Sequence, residues 1–168
     1  MPNTSSISVA YGSLITVTET FTGFTAPNNE DITVSGINES GTLTATTTPP
    51  ATLQTQFNQA LTAGAATIDL TALPGLNADE VVNGNGLKVQ LVKFKNPSAN
   101  ANKITISQGA SNAYRLDGAT NWTISLAPGQ SAGPFYLDAA SDVISSTHKT
   151  IDLAGTGTQT LQVAVVMG

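Results

Sequence analysis

The run Gly86–Asn96, GLKVQLVKFKN, restricts the fold of this chain more than any other stretch. Leu87, Val89 and Leu91 alternate with Lys88 and Gln90, the period-two pattern of a half-buried strand. After Leu91 the parity slips. Val92 and Phe94 become the apolar positions, and Lys93 and Lys95 the polar ones. Such a slip turns every later side chain to the other face, unless an extra residue is bulged out. The pattern therefore predicts a bulge at Leu91–Val92, with Leu87, Val89 and Phe94 buried and Lys88 and Lys95 exposed.

The rest of the chain is written in the same period. Before residue 49, short strands are expected around Ile7/Val9/Tyr11, Ile15/Val17/Glu19/Phe21, Ile32/Val34 and Leu43/Ala45. Asn38-Glu39-Ser40-Gly41 carries turn chemistry and predicts a hairpin between the last two. Glu19 stands on the apolar parity of its run, where it marks a strand leaving the core or an edge guarded by an inward charge. Pro49-Pro50 cannot lie in a central strand and reads as a stiff, extended connector.

Beyond the prolines, eight strand candidates follow: 52–61, 65–70, 86–95, 103–107, 121–126, 134–138, 150–153 and 160–166. The first is ambiguous, because Leu53, Phe57, Ala60 and Leu61 also fit helical spacing. Strand is preferred there, since Thr52 and Thr55 are weak helix formers. Pro74-Gly75, Asn83–Gly86, Asn96-Pro97, Pro128-Gly129 and Gly155–Gly157 supply the turns. The expected fold is all-β. An eight-stranded, jelly-roll-like sandwich spans 49–168, preceded by an N-terminal β arm or small β subdomain over 1–48.

Charge narrows the function. Only 10% of residues are charged. Surfaces rich in Thr and Asn meet other protein surfaces with little charge to desolvate, although an ordinary Thr-rich β domain has the same composition. All seven charged residues before Lys88 are acidic: Glu19, Glu30, Asp31, Glu39, Asp69, Asp79 and Glu80. From Lys88 onward six bases stand against four acids, and the whole chain carries −5. Phosphate contacts demand a basic surplus, so direct nucleic-acid binding is not expected. Opposite signs in the two halves can steer one copy onto another or onto a partner. The lack of Cys excludes disulfides and thiolate metal sites. The start, MPNTSS, lacks the charged and apolar regions of a secretion signal, and no run reaches the 18 apolar residues of a membrane span. A soluble protein made in a cytoplasm, without a membrane partner, is expected.

No motif assembles catalytic chemistry. Gly129-Gln130-Ser131-Ala132-Gly133 matches G-x-S-x-G, with Asp138 and His148 following in triad order. That elbow needs a strand-to-helix turn, whereas Pro134 and a strand-like FYLD follow here, so the segment reads as a loop. His148 is the only histidine and sits in a polar loop, which removes zinc-type spacing. Asp138, Asp142, Asp79 and Glu80 do not follow a calcium-loop pattern. A carboxylate pair formed in space, as in glycosidases, has no local signature, but few aromatics are left to stack on sugar. Trp122 alternates with Ile124 and Leu126 and reads as a core residue. Gly84-x-Gly86 and Gly155-x-Gly157 are turns rather than phosphate cradles. No enzyme activity and no cofactor are expected. Two candidate interaction surfaces remain. Lys88, Lys93 and Lys95 suit an acidic partner, or form a solvated strand face. Tyr114-Arg115, between Asn112 and Asp117 in the 108–120 loop, is the most ligand-like cluster; the 75–86 and 138–149 loops are further candidates.

Five strings, TTTPPAT (46–52), ATIDLTALPG (66–75), GLKVQLVKFKNPSANAN (86–102), SLAPGQ (125–130) and TIDLAGTGTQTLQVAVVMG (150–168), resemble segments of small structural proteins of tailed bacteriophages and prophages. The resemblance covers most of 46–168, is weaker before that, and carries no site residue. It implies a β-rich virion component, such as a capsid decoration (cement) protein or the base of a head fibre. The expected partners are then the major capsid protein or other virion proteins, and further copies of the chain, with trimers suiting local three-fold axes. The expected location is the capsid surface. The rival expectation is a receptor- or glycan-binding module of a fibre or tail.

Overall fold

The computed structural model describes residues 7–13, 16–20, 31–35, 39–75, 80–137 and 141–168. Among them every helical or strand element is a β-strand. Four strands precede the prolines: β1 (Ser8–Ser13), β2 (Thr16–Thr20), β3 (Asp31–Ser35) and β4 (Glu39–Thr44). Their antiparallel pairing is nested. β1 pairs with β4, from Ser8↔Thr44 to Ser13↔Glu39, and β2 pairs with β3, from Thr16↔Ser35 to Thr20↔Asp31. Glu39, Ser40 and Gly41 thus lie in a strand, which corrects the hairpin turn expected at 38–41. Gly41 serves a different purpose there. It stands opposite Tyr11, and a Cβ added to it would lie 2.6 Å from the Tyr11 hydroxyl. The expectation for the Glu19 side chain lies outside the described residues.

Ten strands follow: β5 (Leu53–Leu61), β6 (Ala65–Asp69), β7 (Leu73–Pro74), β8 (Val81–Val82), β9 (Val89–Lys95), β10 (Ile104–Gln108), β11 (Thr123–Leu126), β12 (Ser131–Tyr136), β13 (Thr150–Ala154) and β14 (Gln159–Met167). Two four-stranded sheets result, ordered β12-β9-β14-β5 and β11-β10-β13-β6, with β7 and β8 as a separate short ribbon. All pairs of named strands are antiparallel. The ambiguous run at 52–61 is the strand β5, in register with β14 from Leu53↔Met167 to Leu61↔Gln159. That long-range ladder decides what local spacing leaves open. Ala63 and Gly64 both have positive φ, 51° and 82°, the two-residue turn whose twist suits adjoining strands. There a Cβ on Gly64 would sit 2.7 Å from the Gly155 carbonyl oxygen, so the close approach needs glycine.

The two sheets face each other across one core. Phe57, Val92, Phe94, Leu161 and Val163 enter it from one side, and Ile68, Ile104, Ile106, Ile151 and Leu153 from the other. Each such side chain, fully buried, contributes about 1.5–3 kcal/mol of transfer free energy. Phe94 stacks on the half-buried Trp122 with ring centroids 6.5 Å apart, and the Trp122 indole N–H donates to the Tyr114 carbonyl at 3.0 Å. Polar residues close the ends. Asn96 is fully buried and donates to the Asn102 and Leu126 carbonyls; Asn100 donates to Asn96 Oδ1 and the Thr160 carbonyl; Gln159 donates to Asn102. These amides clasp the 96–102 loop to β14.

The proline segment is a tight corner and not an extended connector. Ala51 N–H returns to the Thr44 carbonyl at 2.8 Å, Thr47 Oγ1 bonds to the Thr44 and Pro49 carbonyls, and Pro49 and Ala51 are buried. The Thr48–Pro49 and Gly133–Pro134 bonds are cis. Side-chain hydroxyls bend the chain here before the prolines can extend it.

In β9 the bulge falls one residue earlier than the pattern predicts. β14 pairs in step from Gln162↔Lys95 to Val166↔Leu91, then Met167 pairs with Val89, leaving Gln90 as the extra residue. Val89, Val92 and Phe94 are buried and Lys95 is exposed. Leu87 and Lys88 are both half-buried, because the Lys88 backbone exchanges hydrogen bonds with Gly168 and pairs with Val143. Gln90 is also buried, its side chain donating to the Gly168 carbonyl at 2.9 Å. That bond draws the bulge to the amide rather than to the apolar junction beside it.

Tyr114 is wholly buried, and its hydroxyl accepts from Val89 N–H at 2.9 Å. Tyr114→Phe leaves a buried donor without a partner and is expected to cost about 1–3 kcal/mol in urea unfolding. Asp69 gives a pH test. Burial pushes its carboxyl up, but bonds from Lys149, at 2.6 Å, and Thr71 outweigh this and hold it below its ordinary value. A depressed folded value means stability present above the unfolded-state value of about 3.9 and lost as pH falls through the folded one. Asp69→Asn is therefore expected to lose less stability than the parent between pH 7 and pH 3, read from urea midpoints.

Candidate functional site

The bulge at Gln90 turns Leu91, Lys93 and Lys95 onto the face of the β12-β9-β14-β5 sheet that looks away from the core. Register fixes their neighbours. Val166 stands opposite Leu91, Ala164 opposite Lys93 and Gln162 opposite Lys95. Gln54, Gln56 and Asn58 of β5 continue the same rows, while Tyr136 and Ser131 of β12 border Leu91 and Lys95. The face thus has an apolar end and an amide-and-lysine end.

The apolar end is covered. Leu91 and Val166 are 6% and 4% exposed because Leu43 and Ala51 bury them, with Ile7, Val9, Tyr11 and Tyr136 packed around. The Tyr11 and Tyr136 rings stack, centroids 5.3 Å apart and 10° from parallel, a contact of about 0.5–1.5 kcal/mol. The period-two reading places Leu91 in the main core with Leu87 and Val89. The structure buries it on the opposite face, under the N-terminal ribbon.

The polar end is open. Lys93, Lys95, Gln56, Asn58 and Gln162 are exposed, and neither lysine forms an ion pair among the described residues. A cleft of about 490 Å³ separates Val9–Gly12 of β1 from Gln54, Gln56, Lys93, Pro134 and Ala164. Smaller hollows of about 280 and 230 Å³ continue it beside Asn58, Gln162 and Lys95. Small-molecule sites are mostly apolar and enclose their ligand. This surface is open, mixes apolar with polar groups, presents amides that both donate and accept, and holds two cations. It suits an extended or flat polypeptide surface carrying acids.

The other predicted residues lie elsewhere. Lys88 is half-buried at the far end of the strand, beyond the bulge. Tyr114 offers no surface, which corrects its reading as part of a ligand cluster; an apolar-bodied side chain beside a loop finds the core and keeps its hydroxyl bonded. Arg115 is half-buried, its backbone bonded at 3.1 Å to the Asp142 carboxylate and at 3.1 Å from the Asp142 N–H. It ties its loop to the 141–144 segment. Ser131 opens β12 opposite Lys95 and no helix follows it, while His148 Nδ1 lies 3.2 Å from Thr147 Oγ1 and 3.4 Å from Ser145 Oγ. Asp138 and Asp79 lie outside the described residues. Among the described residues no three His, Asp or Glu side chains converge as metal ligands.

Leu91, Val166, Tyr11 and Tyr136 were not legible as a docking patch. The period-two Gln54-Gln56-Asn58 row on β5 was the available signal for an outward amide face. No protein-family model matches this chain, and no curated protein or solved structure matches it.

Docking of the ribbon has a direct test. Leu91→Ala removes a buried side chain and is expected to cost about 2–5 kcal/mol. Limited proteolysis should then cut within residues 8–48 while the two-sheet body survives. Phe94→Ala, on the core face of the same strand, should expose the whole chain together.

Proposed function

We propose that this protein is a non-enzymatic virion component that binds the assembled capsid of a tailed bacteriophage and reinforces it, as a decoration or cement protein. One observation carries the reading: a broad sheet face covered by the chain's own ribbon at its apolar end, and left open at the end that bears Lys93, Lys95, Gln56, Asn58 and Gln162. Such a face fits another protein surface. The low charge of the chain reduces the desolvation cost of that contact. The phage-like strings of residues 46–168 point the same way.

The strand order supports an eight-stranded jelly roll for the body. Taking β5, β6, β9, β10, β11, β12, β13 and β14 as strands one to eight, the sheets read 1-8-3-6 and 2-7-4-5. Every strand but the fifth lies in the opposite sheet from the one before it, the winding of paired Greek keys, a fold widespread in capsid proteins. The protein acts on the capsid surface after synthesis in the host cytoplasm, as a homo-oligomer, with a trimer matching local three-fold axes. Its mechanism is mass action: a ligand of the assembled lattice alone stabilises that lattice. The rival reading, a glycan- or receptor-binding fibre module, places recognition in the 75–86, 108–120 and 138–149 loops, and the burial of Tyr114 removes the side chain that made the 108–120 loop the most ligand-like.

Purified protein is expected to co-sediment with expanded capsids and to raise their melting temperature. Failure to bind capsids, together with its absence from purified virions, sinks the proposal.

A further inference from the structure

We infer that the open, lysine-bearing end of the β12-β9-β14-β5 face is the seat for the acidic N-terminal ribbon of a second copy of this chain. The inference deepens the part of the proposed function that makes the protein a homo-oligomer, and does not depend on the capsid.

Three observations converge. Lys93 and Lys95 stand two residues apart on one strand face, about 7 Å from each other, both exposed and without an ion pair among the described residues. Their neighbours are Gln56, Asn58, Gln162, Ala164 and Ser131, so no carboxylate of the sheet lies beside them to neutralise the pair. The complementary charge is in the same chain. Residues 1–48 hold Glu19, Glu30, Asp31 and Glu39 and no Lys, Arg or His. Glu19 and Asp31 fall at neighbouring register positions of the β2–β3 ribbon, opposite Ile32 and Thr20, and the exposed Glu39 opens β4 opposite Ser13.

The chain's own ribbon covers the Leu91 and Val166 end of the face. The polar end continues the same surface through the cleft beside β1, and a second ribbon laid there extends the cover. With a net charge of −5, two copies repel on average. That average is screened within about 8 Å at physiological salt, whereas a lysine–carboxylate contact at the face is not screened away to the same degree. Association then depends on this local match of sign, which also fixes which surfaces meet.

Charge reversal on each side, followed by mixing, tests the seat. The parent protein is expected to self-associate by analytical ultracentrifugation at 50 mM NaCl, with a dissociation constant that rises severalfold at 500 mM. Lys93→Glu with Lys95→Glu, and separately Glu19→Lys with Asp31→Lys, should each weaken association about tenfold or more. An equimolar mixture of the two variants should recover it. Lys93→Gln with Lys95→Gln is the milder companion and should weaken association without reversing it; unchanged thermal midpoints show that the variants fold. A parent that stays monomeric, or lysine variants that associate as the parent does, overturns the inference, and so does a mixture that fails to recover. Capsid co-sedimentation is read alongside. A monomer that binds capsids overturns this inference alone, and an oligomer that ignores capsids overturns the proposed function alone.

Discussion

One extra residue in β9 organises both faces of the molecule. Were Gln90 to take an ordinary place in the ladder instead of being bulged out, Val92 and Phe94 would point away from Val89, and the core between the sheets would lose its largest contributor from that strand. With it, Val89, Val92 and Phe94 share one face, and Leu91, Lys93 and Lys95 the other. The buried amide holds this geometry through its bond to the Gly168 carbonyl. A second irregularity answers it across the sheet. β12 shifts register between Ala132 and Phe135, around Gly133-Pro134, so that Phe135 faces Val92 again.

The outer face follows from the same displacement. An apolar residue turned outward has to be covered or left wet, and Leu91 is covered by Tyr11, Val9 and Leu43. The N-terminal ribbon is in that sense a consequence of the bulge. Its own sequence is adapted to covering that residue, since Gly41 leaves room for the Tyr11 ring, which then stacks on Tyr136. The boundary between covered and open face falls between Leu91 and Lys93, where the side chains change from apolar to charged.

Much of this architecture was legible in the residues alone. Alternation in β10 and β13 is strong because each buries one face, and it holds along β14 as far as Val165, before Val166 is buried on the other side. The parity slip announced a bulge, though not its residue, since Gln90 looks like a solvent-facing position until the Gly168 carbonyl is beside it. Partner choice was the illegible part. Asn38–Gly41 has the chemistry of a turn, yet β4 pairs with β1 across a long separation, and local residue preference cannot report that. Tyr114 failed for a related reason. A tyrosine among Asn, Arg and Asp reads as surface, and only tertiary packing reveals that Val89 N–H and the core need it. The lysine face was visible as a charge pattern, but its two ends differ only through what the ribbon covers.

The amide clasp at the 96–102 loop gives the body an insensitivity that its few charges do not have. Asn96, Asn100 and Gln159 hold that loop with uncharged donors and acceptors throughout. Neither protons nor electrolyte alter such bonds, whereas the Asp69–Lys149 pair answers to both. Acid or salt can therefore loosen the charged edge of the second sheet while the amide-bound end keeps its shape, and hydrogen exchange along the chain would register the two ends as separate responders to acid and salt.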